Sequence, residues 1–89
     1  MKGIITVLGK DRVGIIAKVC GYLSGEGINI LDISQTIVQN YFTMIMIVDI
    51  TDSSSDFTRY VEDLAALGQE IGLIIKLQRE DIFNSMHRI

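Results

Sequence analysis

The chain has 89 residues, 48% of them hydrophobic, and 11 acidic against 8 basic side chains give it a formal charge of −3. A chain of this length is one domain, burying roughly 60–65% of its unfolded surface. The acidic balance argues against nucleic acid, which rewards clustered Lys and Arg, and against an anionic membrane surface. No apolar run reaches the roughly 18 residues of a spanning helix.

Residues 2–9 are expected to form a strand, with Ile4, Thr6 and Leu8 on one face and Ile5 and Val7 on the other. Two apolar faces suit a central position in a sheet. A helix is predicted over residues 13–25, with Ile16, Val19, Cys20 and Leu23 as its buried stripe. Gly21 within it predicts close packing on the sheet, because glycine costs roughly 1 kcal/mol in a helix. Gly25 and Gly27 end the helix. A second strand is expected over 28–38. Ile28 and Ile30 have one parity while Ile33 and Ile37 have the other, which predicts a bulge near Leu31-Asp32.

Gln39-Asn40 is a tight-turn signal, since Asn tolerates positive φ. A third strand over 41–50 carries Phe42, Met44, Met46, Val48 and Ile50 on one face and Tyr41, Ile45 and Ile47 on the other. With both faces apolar, one needs a cover beyond the domain's own helices, either the C-terminal segment or a partner chain. After a polar loop, Thr51 to Ser55, a second helix is predicted over 56–71. Its inner stripe is Phe57, Val61, Leu64, Gly68 and Ile71. Gly72 ends it and a fourth strand follows over 73–79. The βαββαβ order predicts an α+β, ferredoxin-like sandwich with a four-stranded antiparallel sheet and both helices on one face. The core is residues 2–79. Residues 80–89 form an extension in which Ile82, Phe83, Met86 and Ile89 predict a short C-terminal helix.

Mean hydropathy of +0.37 is high for so small a chain, so some apolar surface is expected to be buried in an oligomer. The single Cys cannot close an internal disulfide, which points to a reducing compartment. The opening Met1-Lys2-Gly3-Ile4 has no signal-peptide character. The expected location is cytoplasmic.

The chemistry gathers around Gly9-Lys10-Asp11-Arg12-Val13-Gly14-Ile15. Two glycines bracket a charged triplet where a strand turns into a helix. Asp11 is the expected helix cap. Backbone donors near Val13, Gly14 and Ile15, with the helix dipole behind them, suit a small-molecule carboxylate. The same features fit a strand-to-helix turn that binds nothing. His87 and Cys20 lie far apart and show no metal-ligand spacing, so neither a metal nor a cofactor is expected. No catalytic residues are expected. An acylphosphatase-type hydrolase is the enzymatic alternative, since Arg12 and Asn29 sit in roughly comparable places. Against it, Asp11 would repel phosphate and the Val-Gln-Gly step of that family is absent.

Asp11-Arg12-Val13-Gly14-Ile15, followed by Gly27-Ile28-Asn29-Ile30 and later by Leu67-Gly68-Gln69-Glu70-Ile71-Gly72-Leu73, resembles the signature of ACT domains. The similarity covers residues 2–79 and is nearest in style to small stand-alone ACT proteins and to the ACT-type regulator of the glycine cleavage system. The resemblance implies a non-catalytic regulatory homodimer that senses an amino acid or similar small ligand and passes the signal to a partner protein. It places the ligand between two domains. Gly9, Lys10, Asp11, Arg12, Val13, Gly14 and Ile15 stand on one side, and Asn29 and Ile30 of the neighbour on the other. Asn29 offers both donor and acceptor; it also fits a plain turn residue entering the strand. Val13 replaces a Pro that many members carry, which leaves the loop freer. Many ACT domains bind no amino acid, so a ligand-free dimerisation module is the alternative. Strand three, apolar on both faces, favours two chains meeting face to face rather than along strand two.

Overall fold

A computed structural model describes residues 2–10, 13–50 and 56–80. The elements follow the βαββαβ order: β1 (Lys2–Lys10), α1 (Ile15–Gly25), β2 (Asn29–Val38), β3 (Tyr41–Asp49), α2 (Phe57–Ile71) and β4 (Ile74–Arg79). The sheet order is β2-β3-β1-β4, and every neighbouring pair is antiparallel. This is the predicted ferredoxin-like sandwich. Central β1 carries Ile5 and Val7 into the core, beside Phe42, Met44, Met46 and Val48 of β3 and Ile75 and Leu77 of β4. Ile15, Val19 and Leu23 of α1 and Tyr60 and Leu64 of α2 close over the same face.

The expected features of the β2–β3 hairpin are present. Gln39 and Asn40 both have positive φ, 49° and 72°, as a two-residue turn matching strand twist requires. The register shifts between Ile30 and Asp32, leaving Leu31 as the extra residue. That bulge explains the parity break: Ile30, Ile33 and Ile37 sit opposite Val48, Met46 and Phe42 on one face.

Three expectations about the helices need correction. The cap of α1 is Gly14, in the left-handed region at φ 91°, so the helix starts two residues later than predicted; Asp11, the expected cap, lies outside the described residues. Its buried stripe is Ile15, Val19 and Leu23, with Cys20 half-buried and Ile16 exposed. Gly21 is exposed and a Cβ there would touch nothing within 4 Å. The close approach belongs to Gly68 of α2, where a Cβ would stand 2.7 Å from the Leu73 carbonyl oxygen. In α2, Tyr60 joins Leu64 and Gly68 as a buried residue, while Phe57, Val61 and Ile71 are half-buried.

Both helices end alike. The Gly27 N–H donates to the Ser24 carbonyl (3.1 Å) and the Ile28 N–H to that of Leu23 (2.9 Å). At the end of α2 the Gly72 N–H donates to Gln69 (3.4 Å) and the Leu73 N–H to Gly68 (2.7 Å). Such paired bonds satisfy the last carbonyls and turn the chain sharply into the next strand. The predicted loop Thr51–Ser55 and the predicted C-terminal helix beyond Glu80 lie outside the described residues.

Candidate functional site

The end of β1 brings Gly9 opposite Phe42 and Lys10 opposite Tyr41. Asp11 and Arg12 lie outside the described residues. Val13 is fully exposed, Gly14 caps α1, and Ile15 drops into the core. Lys18 is the first residue of α1 whose amide has an intrahelical acceptor, the Gly14 carbonyl at 3.0 Å. The amides ahead of it have none inside the helix, and no acidic side chain sits in the first turn. Among the described residues this end therefore offers amide donors with no intrahelical partner, with the positive end of the helix dipole behind them.

A cavity of about 220 Å³ opens there, lined by Val13, Gly14, Ile15, Lys18, Glu70 and Ile71. It is smaller than the roughly 300–1,000 Å³ of clefts for drug-sized ligands, so it suits a small molecule. Its walls combine the N-terminus of α1 and the Lys18 ammonium with the Glu70 carboxylate and the C-terminus of α2. The lining so combines groups that favour an anion with groups that favour a cation. A lining with both charges suits a small ligand that carries both. Lys18 and Glu70 are absent from the sequence-derived set because they come from different helices and each reads as solvated surface.

Asn29 stands elsewhere. It pairs with Asp49, which pairs with Lys2. That is the opposite end of the sheet from Gly9 and Phe42, roughly 23 Å away at about 3.3 Å per residue. Asn29 is exposed and Ile30 half-buried, beside a shallow hollow also lined by Cys20, Ser24, Gly27 and Ile28. One chain thus separates the two halves of the predicted site. The same separation sets Asn29 apart from the described residues of the loop, and Arg12, its partner in the acylphosphatase alternative, lies outside the described residues.

Between α1 and the β2 edge runs a third depression, lined by Gly14, Ile15, Ile16, Ala17, Gln35, Ile37 and Phe42. Every residue from Leu31 to Asn40 is exposed, and β2 is an outer strand of the sheet. It is a long open edge with unpaired backbone groups.

At the other end of the helical layer a polar clasp joins α1 to α2. The Tyr22 hydroxyl donates to Asp63 Oδ2 at 2.7 Å. Arg59 Nη2 donates to Glu26 Oε1 at 2.8 Å, and Arg59 Nη1 lies 3.5 Å from Asp63 Oδ2. Burial, then the bond to Asp63 and the nearby acidic charges, push the Tyr22 hydroxyl well above its ordinary value of 10.0. Folding therefore favours the protonated phenol. Its contribution is complete below about pH 10 and is lost as the pH rises from there through the elevated folded value. Tyr22→Phe is expected to cost roughly 1.5 kcal/mol at pH 7. The gap from the wild type should close by up to about 1.4 kcal/mol per pH unit above pH 10, as read from paired thermal melts. A gap that stays constant to pH 11 would contradict the protonated-phenol account.

No group of three potential metal ligands exists among the described residues, and no helix among them is long and apolar enough to cross a membrane. A family model described as ACT domain matches residues 3–78. The chain belongs to the ACT domain family. ACT domains are typically regulatory rather than catalytic, and they commonly bind small ligands and dimerise. A UPF0237 protein from Bifidobacterium longum is 57% identical over 88 residues, covering 99% of this chain and 98% of the relative. Among solved structures, an ACT domain protein from Streptococcus pneumoniae superposes with a TM-score of 0.84 at 44% identity, covering 93% of each chain. A structure described as a candidate glycine cleavage system transcriptional repressor gives 0.75 at 32% identity, covering 86% of this chain and 44% of that one.

Proposed function

We propose that this ACT protein is a non-catalytic amino-acid sensor that works as a homodimer and signals to a regulated partner protein. The observation that carries the reading is the small cavity between the N-terminus of α1 and the C-terminus of α2. There Lys18 and Glu70 bring opposite charges to one lining. An amino acid is the smallest common metabolite with matching charges.

The separation of Asn29 from the loop supports a particular dimer. Pairing β2 antiparallel with the partner's β2 carries the partner's Asn29 to the Val38 end of this chain's strand. Val38 pairs with Tyr41, and Tyr41 with Lys10, so that end is the end of the loop. Edge pairing thus joins the two halves of the site, Gly9–Ile15 from one chain and Asn29–Ile30 from the other. Face-to-face packing, favoured by the alternation in β3, does not. A ligand bound across the edge stabilises one packing of the two chains, and a partner protein reads that packing.

A thermal-shift screen against the amino acids tests the proposal. A ligand at about a hundred times its dissociation constant adds roughly 2.7 kcal/mol, and a domain of this size moves by roughly 4–8 °C per kcal/mol. A selective shift, abolished in Glu70→Gln and weakened in Asn29→Ala, is the expected result. A flat screen from a stable dimer would sink the sensor reading and leave a ligand-free dimerisation module.

A further inference from the structure

The two outer strands of the sheet differ in how their edges are guarded. β4 is six residues long and carries Lys76 and Arg79, the short length and basic side chains that discourage pairing. β2 is ten residues long, and Ile33 to Val38 are all uncharged and all exposed. Ile33, Gln35 and Ile37 stand opposite Met46, Met44 and Phe42, so they share the helix-side face. Ser34 and Thr36 take the other face, opposite Ile45 and Thr43. The run Ile33-Ser34-Gln35-Thr36-Ile37 therefore has the same chemistry in either direction: isoleucine, small hydroxyl, amide, small hydroxyl, isoleucine. A two-fold axis through an antiparallel strand pair sets one copy of the strand against the reverse of the other.

We propose that two chains pair along β2 in a single register, with the two-fold axis at Gln35, and that Gln35 fixes this register by hydrogen-bonding to the partner's Gln35. The inference rests on the edge-paired dimer above and names its geometry. With the axis at Gln35, Ile33 meets the partner's Ile37, Ser34 meets the partner's Thr36, and the two amides face each other. Apolar and hydroxyl pairs of this kind are favourable across strands, and each amide supplies the donor and the acceptor the other needs. The neighbouring registers that keep both helix-side faces together put the axis at Ser34 or Thr36. They set Gln35 against the partner's Ile33 or Ile37. There the amide loses water to a joint walled by Ile16 of α1 and gains no partner.

The register also decides where Asn29 falls. With the axis at Gln35, Asp32 meets the partner's Val38, and Asn29 lies just past it at the partner's loop. Moving the axis by one residue slides the strands by two residues, about 7 Å, and carries Asn29 away from that position.

Disulfide trapping in a Cys20→Ser background tests this with Gln35 intact. Opposed residues have Cα atoms about 4.5–5.5 Å apart, within disulfide reach; diagonal neighbours, at about 7–8 Å, lie beyond it. Mixed Ser34→Cys and Thr36→Cys chains are expected to form the covalent heterodimer about tenfold faster than either variant alone forms its homodimer. Gln35→Leu in the same chains should leave a dimer by sedimentation but erase that preference. Faster trapping of Ser34→Cys or Thr36→Cys alone would overturn the register, and a preference that survives Gln35→Leu would overturn the part given to Gln35. A chain that dimerises yet traps in no combination would sink edge pairing itself, and a monomer would sink the homodimer.

Discussion

Gly68→Ala is expected to destabilise the protein and Gly21→Ala to stabilise it, although both replace a glycine inside a helix. Each substitution removes about 1 kcal/mol of unfavourable helix propensity. At Gly21 nothing stands within 4 Å of the new methyl, so up to about 1 kcal/mol of stability should be gained. At Gly68 the methyl meets the Leu73 carbonyl oxygen at 2.7 Å, Ile75 Cγ1 at 3.1 Å and the Ile75 nitrogen at 3.2 Å. Two of those atoms are backbone and cannot swing away. The Gly68 carbonyl also accepts the 2.7 Å bond from Leu73 that turns α2 into β4. Moving α2 outward stretches that bond and lifts Leu64, which is fully buried. Overpacking of this kind costs roughly 1–3 kcal/mol net, and at about 4–8 °C per kcal/mol the melting temperature falls visibly. Equal shifts of the same sign in the two variants would show that the packing of α2 on β4 is looser than described.

That pair also shows what a sequence can and cannot disclose. Both glycines stand out, but only the fold says which one another backbone approaches, and the neighbours of Gly68 come from β4. The strands were legible because alternation with period two is unforgiving. Phe42 to Ile50 shows one buried face, and the Gln39-Asn40 turn and the Leu31 bulge follow from local conformational rules. The phase of α1 was less legible. Ile15 and Ile16 are adjacent and equally apolar, and the left-handed Gly14 delays the helix until only Ile15 faces the core. Ile16 instead looks toward the open β2 edge, where an apolar residue on the outer side of α1 blurs the amphipathic signal. Of the candidate site, the loop was legible from its glycines. The charge pair of Lys18 and Glu70 was not, because only the packing of α1 against α2 brings them to one cavity. Asn29 was legible as a polar residue at a strand start, but its distance from the loop follows only from the antiparallel register.

Ser34→Lys is expected to split the dimer and silence ligand binding while the domain stays folded. Ser34 is exposed near the middle of β2 and opposite Ile45, so a lysine there should change the stability of the single chain by no more than about 0.5 kcal/mol. In an antiparallel pairing about a two-fold axis near the strand centre, the two introduced lysines lie close together. Like charges opposed across a strand pair are destabilising, and lysine is a common guard on natural sheet edges. The dimer dissociation constant should rise at least about tenfold, equivalent to roughly 1.4 kcal/mol, and part of that loss should return at high salt, where the repulsion is screened. The amino-acid thermal shift should vanish below the new dissociation constant even though Lys18, Glu70 and Asn29 are untouched. That loss separates a site shared between chains from one contained in a single chain. Were the variant monomeric by sedimentation yet still shifted by the same amino acid, the cavity beside Gly14 would bind alone and Asn29 would have no part in it. Were it an unaltered dimer, the chains would meet elsewhere than along β2, and the partner's Asn29 would no longer be delivered to the loop.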